Sequence, residues 1–148
     1  LLTAVNDVFP NAAILVMAAA VSDYRPVELA EQKIKKPADH AGLTLQLTET
    51  PDILKTLAAH KQHQYVIGFA AETQDLLANA NRKLTSKKLD LLVANDVSKP
   101  GVGFNGDTNQ VTLLRPHHEP ITTALASKLA IAKTILTTAI ADGAGKGA

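Results

Sequence analysis

The sequence predicts an α/β fold of three layers, Rossmann-like, in which a mostly parallel sheet carries helices on both faces and a flexible basic flap. Two observations lead there. The apolar run at residues 13–18 is continuous rather than alternating, as in a strand buried on both sides, and mainly apolar segments of strand length recur at 65–69 and 89–94. Segments of helical apolar spacing lie between them, and polar residues suited to ligand contact follow the runs: Ser22-Asp23, residues 69–73, and Asn95-Asp96. Ligands of open α/β sheets bind beyond the carboxyl ends of the strands, so these residues are expected on one rim.

Taken in order, Leu1, Leu2, Val5 and Val8 share a helical face, and Phe9-Pro10-Asn11 ends that helix. Residues 13–18 then form the first strand. The polar stretch 22–41 holds Pro26, Pro37 and the basic cluster KIKK at 33–36, and reads as a long loop. LTLQL at 43–47 alternates, as a half-exposed strand does. Thr50 suits an N-cap and Pro51 a first helical turn, with Ile53, Leu54, Leu57 and Ala58 as the buried stripe. YVIGF at 65–69 is the second buried strand. A helix over 73–88 buries Leu76, Leu77, Ala80 and Leu84, and LDLLVA at 89–94 makes the third strand. Residues 98–109, rich in Gly, Pro, Asn and Asp, form a second long loop. A strand over 110–114 hints at an edge available to a partner subunit. A helix over 121–140 closes the domain, with Leu125, Leu129, Ala132 and Leu136 on one face. One domain thus spans 1–141, and the Gly- and Ala-rich residues 142–148 are expected to fray. The chain opens on Leu1, already in helical pattern, so a preceding segment is expected.

Composition removes several function classes. A net charge of +1 gives no global field to draw the chain onto nucleic acid, and 3% aromatics is too few for a base-stacking platform. Without cysteine there is no disulfide framework, thiolate metal site or cysteine nucleophile, which fits a reducing cytoplasm. No apolar run reaches the roughly 20 residues needed to span a bilayer. The run 12–21 follows Asp7 rather than a lysine or arginine, so the basic start of a secretory signal is missing. His60/His63 and His117/His118 each lack a third ligand at metal-site spacing. Neither a Walker A loop, a G-x-G-x-x-G fingerprint nor a G-x-S-x-G elbow is present.

What remains is a set of paired readings. Lys83 and Lys87 lie one helical turn apart and either clamp a polyphosphate or simply face water. The KIKK segment is either a cationic lid or a solubilising loop. Asp23 meets ribose hydroxyls or a metal, or it caps a turn. Phe69, after Gly68, flanks a nucleobase or belongs to the core. Glu72 coordinates magnesium or caps the next helix.

The order of these features is more specific than any of them. AAAVSDYRP at 18–26, KIKK at 33–36, TPDIL at 50–54, VIGFAAET at 66–73, KLTSKKLDLLVAND at 83–96 and GFN at 103–105 together resemble bacterial phosphopantothenate–cysteine ligase. In many bacteria this is the C-terminal half of a bifunctional protein whose N-terminal half is an FMN-dependent decarboxylase. The resemblance implies a cytoplasmic, typically homodimeric enzyme with CTP, 4′-phosphopantothenate and L-cysteine as substrates and Mg2+ accompanying CTP. It implies an acyl-cytidylate intermediate on the way to 4′-phosphopantothenoylcysteine. It assigns CTP contacts to Asp23, Lys33, Pro51, Asp52, Ile53, Leu54, Phe69, Lys83 and Lys87. Lys33 matches the catalytic lysine of the family's flap, and Ala19 a position lining the acyl-cytidylate pocket. The family's opening Gly-rich segment, with its T-N-x-S-S-G type motif, has no counterpart here, nor has the flavin half. A non-catalytic nucleotide-binding module is the alternative, with a nicotinamide oxidoreductase as a third reading.

Overall fold

The computed structural model describes residues 1–35, 42–72, 76–96 and 106–145, with the side chains of Glu72, Leu76 and Asp96 left aside. The chain comprises two compact units, residues 1–18 with 53–148, and residues 19–52.

The larger unit is built on a five-stranded sheet of order β1-β4-β5-β7-β8. Strands β1 (Ile14–Met17), β4 (Tyr65–Glu72) and β5 (Leu91–Asp96) are parallel, with Ile14 opposite Tyr65 and Ile67 opposite Leu91. Two antiparallel strands complete it, β7 (Thr112–Leu114) beside β5 and β8 (Ile121–Thr122) beside β7. A short pair, β6 (Thr108–Asn109) and β9 (Ala126–Ser127), lies outside this sheet.

Strand alternation sorts the apolar side chains into two layers. Val66, Ala70, Leu92, Ala94 and Leu114 pack with Phe9 and with Ile53, Leu57, Ala80, Leu84 and Leu89. This is the layer of α1 (Leu2–Val8), α2 (Ile53–Ala58) and α3 (Leu76–Ser86). On the other face Ile67, Leu91, Val93, Val111 and Leu113 meet Ile131, Ile135 and Ala139 of α4 (Lys128–Ala141). Helices therefore cover both faces, as the apolar runs predict.

Several expectations give way, each for a local reason. The run at 13–18 is an edge strand, and Val16 is 45% exposed instead of buried. Residues 110–114 are no free edge, because β7 lies between β5 and β8. The helix expected from 121 begins only at Lys128, where the Ser127 hydroxyl accepts from the Ala130 amide at 3.2 Å. Before it, Thr123 is bonded to Val111 in the manner of a strand, its hydroxyl accepting from the Val111 amide at 3.1 Å. The stripe Leu125, Leu129, Ala132 and Leu136 is exposed. Helix α4 is apolar nearly all round, so spacing alone could not choose between that stripe and the one carrying Ile131, Ile135 and Ala139. Leu77 is likewise exposed, whereas Ala80 and Leu84 are buried as expected.

Backbone bonds close the end of α4. Gly143 adopts φ +98°, and the Ala144 and Gly143 amides donate to the Ala139 and Ile140 carbonyls, both at 3.0 Å. This glycine-terminated reverse bonding satisfies carbonyls the helix leaves open. Residues 146–148 of the tail lie outside the described residues.

The smaller unit contains a two-stranded antiparallel ribbon, β2 (Tyr24–Pro26) and β3 (Leu47–Glu49), with Tyr24 opposite Glu49. The loop expected over 22–41 thus contains a strand, and the strand expected over 43–47 starts only at its last residue. Tyr24, Val27, Leu45 and Leu47 are all at least half exposed there.

Candidate functional site

In the larger unit the parallel strands aim their carboxyl ends at one edge. Met17 is level with Gly68, Ala71 with Asn95, and Glu72 with Asp96. Of the residues expected on one rim, residues 69–72 and Asn95-Asp96 stand at this edge, whereas Ser22-Asp23 belong to the smaller unit. Thr73 and the GFN motif at 103–105 lie outside the described residues.

Phe69 sits on that half of β4, opposite Val93 and 39% exposed. It shares the strand face of Ile67, so it lies on the side of the sheet that α4 covers. Gly68 before it serves packing. A Cβ there would stand 2.7 Å from Leu89 Cδ1 and 3.5 Å from Leu54 Cδ1, so the missing side chain lets both leucines lie against the strand. Leu54 is half-buried and Ile53 buried, so their side chains belong to the core.

Lys83 and Lys87, both half-buried, come at the end of α3, with the Lys87 amide donating to the Lys83 carbonyl at 3.1 Å. Lys88 then takes a left-handed φ of +48°, and the Leu89 amide closes the helix on the Leu84 carbonyl at 2.9 Å. Two cations near a helix carboxyl end are favoured by its partial negative charge, which offsets their mutual repulsion without any ligand. Helix α3 covers the sheet face opposite Phe69. The structure therefore brings the two lysines together and separates them from the ring by the sheet.

In the smaller unit the antiparallel ribbon brings Asp23 alongside the stretch that leads into Pro51 and Asp52. The Thr50 amide donates to the Asp23 carbonyl at 2.8 Å, and the Thr50 hydroxyl donates to the Ser22 carbonyl. Asp23, Pro51 and Asp52 are exposed. Thr50 does not begin a helix directly, since α2 starts at Ile53 and is six residues long. Ala19 and Lys33 are exposed in irregular chain of this unit. Lys36 and Pro37 lie outside the described residues.

Sequence reasoning missed two polar clusters, both in the larger unit. Lys61 Nζ lies 2.6 Å from Asp90 Oδ2 and also donates to the Lys88 carbonyl at 2.8 Å, tying the end of α2 to the end of α3. The same Asp90 oxygen accepts from the Val66 amide at 2.7 Å. The second cluster joins Tyr65, Arg115 and Asp142: the tyrosine hydroxyl and Arg115 Nη1 each donate to the Asp142 carboxylate at 2.8 Å. These pairs are 27 and 77 residues apart in sequence, beyond the reach of spacing rules.

Burial, and then the hydrogen bond and negative charge of Asp142, push the Tyr65 hydroxyl well above the usual tyrosine value of 10.0. The folded state thus holds this proton more tightly than the unfolded chain does. Its stabilisation is fully present below pH 10 and is lost as pH rises from there towards the folded value. Melting temperature is accordingly expected to fall more steeply above pH 10 in the natural protein than in Tyr65→Phe. Parallel curves for the two proteins would remove Tyr65 from this role.

Among the described residues no group of three or more His, Asp or Glu is placed to hold a metal ion. Among the same residues no helix is long and apolar enough to cross a membrane.

Comparison with known proteins supplies what geometry alone does not. Residues 1–142 match the family described as DNA/pantothenate metabolism flavoprotein, C-terminal domain. The coenzyme A biosynthesis bifunctional protein CoaBC of Vibrio vulnificus (strain YJ016) is 44% identical over 128 residues, covering 84% of this chain and 32% of that protein. CoaBC of Bacillus subtilis (strain 168) is 43% identical over 133 residues, covering 90% and 32%. The chain therefore spans about a third of the length of these relatives. A crystal structure of the C-terminal domain of CoaBC matches with a TM-score of 0.72 at 34% identity, over 93% of this chain and 58% of that one.

Proposed function

The chain belongs to the DNA/pantothenate metabolism flavoprotein C-terminal domain family, and from that premise we propose that it carries the nucleotide-binding part of a CTP-dependent phosphopantothenate–cysteine ligase of coenzyme A synthesis. The family match over residues 1–142 is the observation that carries this reading.

The proposed reaction has two transfers. A carboxylate oxygen of 4′-phosphopantothenate attacks the α-phosphorus of CTP, and the bond to pyrophosphate breaks. The amine of L-cysteine then attacks the acyl carbon of the acyl-cytidylate, forming the amide as CMP leaves with the former carboxylate oxygen. CTP brings about four negative charges, so Lys83 and Lys87 serve as compact positive charges for its phosphates. Phe69 gives the nucleobase an aromatic edge, and Asp23 accepts from ribose hydroxyls. Pro51, Asp52, Ile53 and Leu54 contribute through backbone atoms, and Ala19 lines the acyl-cytidylate pocket. Lys33, on the basic flap, stabilises charge that develops only as the intermediate reacts. Closure of the flap also protects the mixed anhydride from water. Mg2+ is assigned to CTP itself, and FMN to the decarboxylase half of bifunctional relatives.

A homodimer belongs to the same proposal. An isolated two-stranded ribbon is at best marginally stable, and the ribbon unit keeps Tyr24, Val27, Leu45 and Leu47 largely exposed. A second copy offering the same surface would cover these residues, in place of the strand at 110–114.

Calorimetric titration of the 148-residue chain with CTP and with ATP, each with Mg2+, tests the reading. Preferential binding of CTP is expected. Binding of CTP with no turnover of the other substrates would favour a nucleotide-binding module, and failure to bind either nucleotide would contradict both readings.

A further inference from the structure

Resting on the CTP reading above, we propose that Thr50 is a positioning residue for the nucleotide end of the site, gripping two consecutive carbonyls so that Asp23 is held beside Pro51 and Asp52. The grip has two points. The Thr50 amide donates to the Asp23 carbonyl at 2.8 Å, and its hydroxyl donates to the Ser22 carbonyl, 28 residues earlier in the chain. Holding both carbonyls fixes the two peptide planes that flank Asp23, and with them the direction of its Cα–Cβ bond. The backbone bond alone would be a weak hold. It closes a ribbon of three residue pairs, Tyr24 with Glu49 through Pro26 with Leu47, and such ribbons fray at their ends. Thr50 is half-buried, whereas Ser22, Asp23, Pro51 and Asp52 are exposed. Its role is distinct from the helix cap that the sequence suggests, because α2 begins only at Ile53.

Thr50→Val keeps the branched shape and removes the donor; Thr50→Ser keeps the donor. The test is calorimetric titration of the 148-residue chain, natural and variant, with CTP and Mg2+, accompanied by melting curves. Loss of one hydrogen bond at an ordering site predicts roughly three- to tenfold weaker CTP binding in Thr50→Val. Melting temperature should hold within a few degrees, and Thr50→Ser should restore the affinity. Asp23→Ala should bind weakly too, and adding Thr50→Val to it should cost little more, because both act through one carboxylate. Equal affinities in the natural chain and Thr50→Val would overturn the role of Thr50 while leaving the CTP reading intact. Absence of CTP binding by the natural chain would overturn that reading and this proposal with it. Unfolding of both Thr50→Val and Thr50→Ala would also overturn the proposal, by making Thr50 a determinant of the fold.

Discussion

Alanine in place of Lys33 is expected to lower amide formation by roughly two to three orders of magnitude, the range for removing a donor aimed at charge in a transition state. Pyrophosphate release should persist, so the acyl-cytidylate accumulates and is detectable by mass spectrometry after an acid quench. Lys33 is exposed in irregular chain and belongs to neither layer of the core, so the melting temperature should not change. An unchanged rate of product formation in Lys33→Ala would remove the lysine from catalysis.

The second large effect concerns α3. Replacing Lys83 and Lys87 together by alanine is expected to weaken CTP binding by roughly ten- to a hundredfold, with the greatest loss at low salt. Their place at the carboxyl end of α3 gives a competing role, since cations there stabilise a helix by about 0.3–1 kcal/mol each. Affinity and stability separate the two. A fall in melting temperature with CTP affinity unchanged would make the lysines helix-end residues and nothing more. Loss of affinity with little change in melting would support the phosphate role, and would require the nucleotide to reach both sheet faces, since Phe69 lies on the α4 side.

Much of the framework was legible because its signals are local. Mainly apolar runs located β1, β4 and β5, and the i, i+4 spacing of Ala80 and Leu84 located the buried side of α3. Legibility failed where two apolar patterns overlap on one helix: α4 buries Ile131 and Ile135 and leaves Leu129 and Leu136 in water. It failed again where tertiary pairing outweighed spacing, as at Thr122, which lies in a strand where helix was expected, its hydroxyl 3.0 Å from that of Thr112 in the neighbouring expected strand. For the site, the resemblance named residues whose mutual placement the sequence could not supply. Asp23 meets Thr50 through a ribbon closed over 27 residues, and the Tyr65–Asp142 bond spans 77. Gly68 shows the limit in a single residue: its place beside Phe69 suggests room for a ligand, yet the space is filled by Leu54 and Leu89.

We propose residues 1–148 as the CTP-binding part of a polypeptide that activates a carboxylate. Pyrophosphate release by the natural polypeptide that contains them, measured with each substrate omitted in turn, tests it most directly. Release is predicted only when CTP and 4′-phosphopantothenate are both present, with cysteine needed for CMP release but not for the first burst of pyrophosphate. Equal release with ATP, or release from CTP without 4′-phosphopantothenate, would contradict the account.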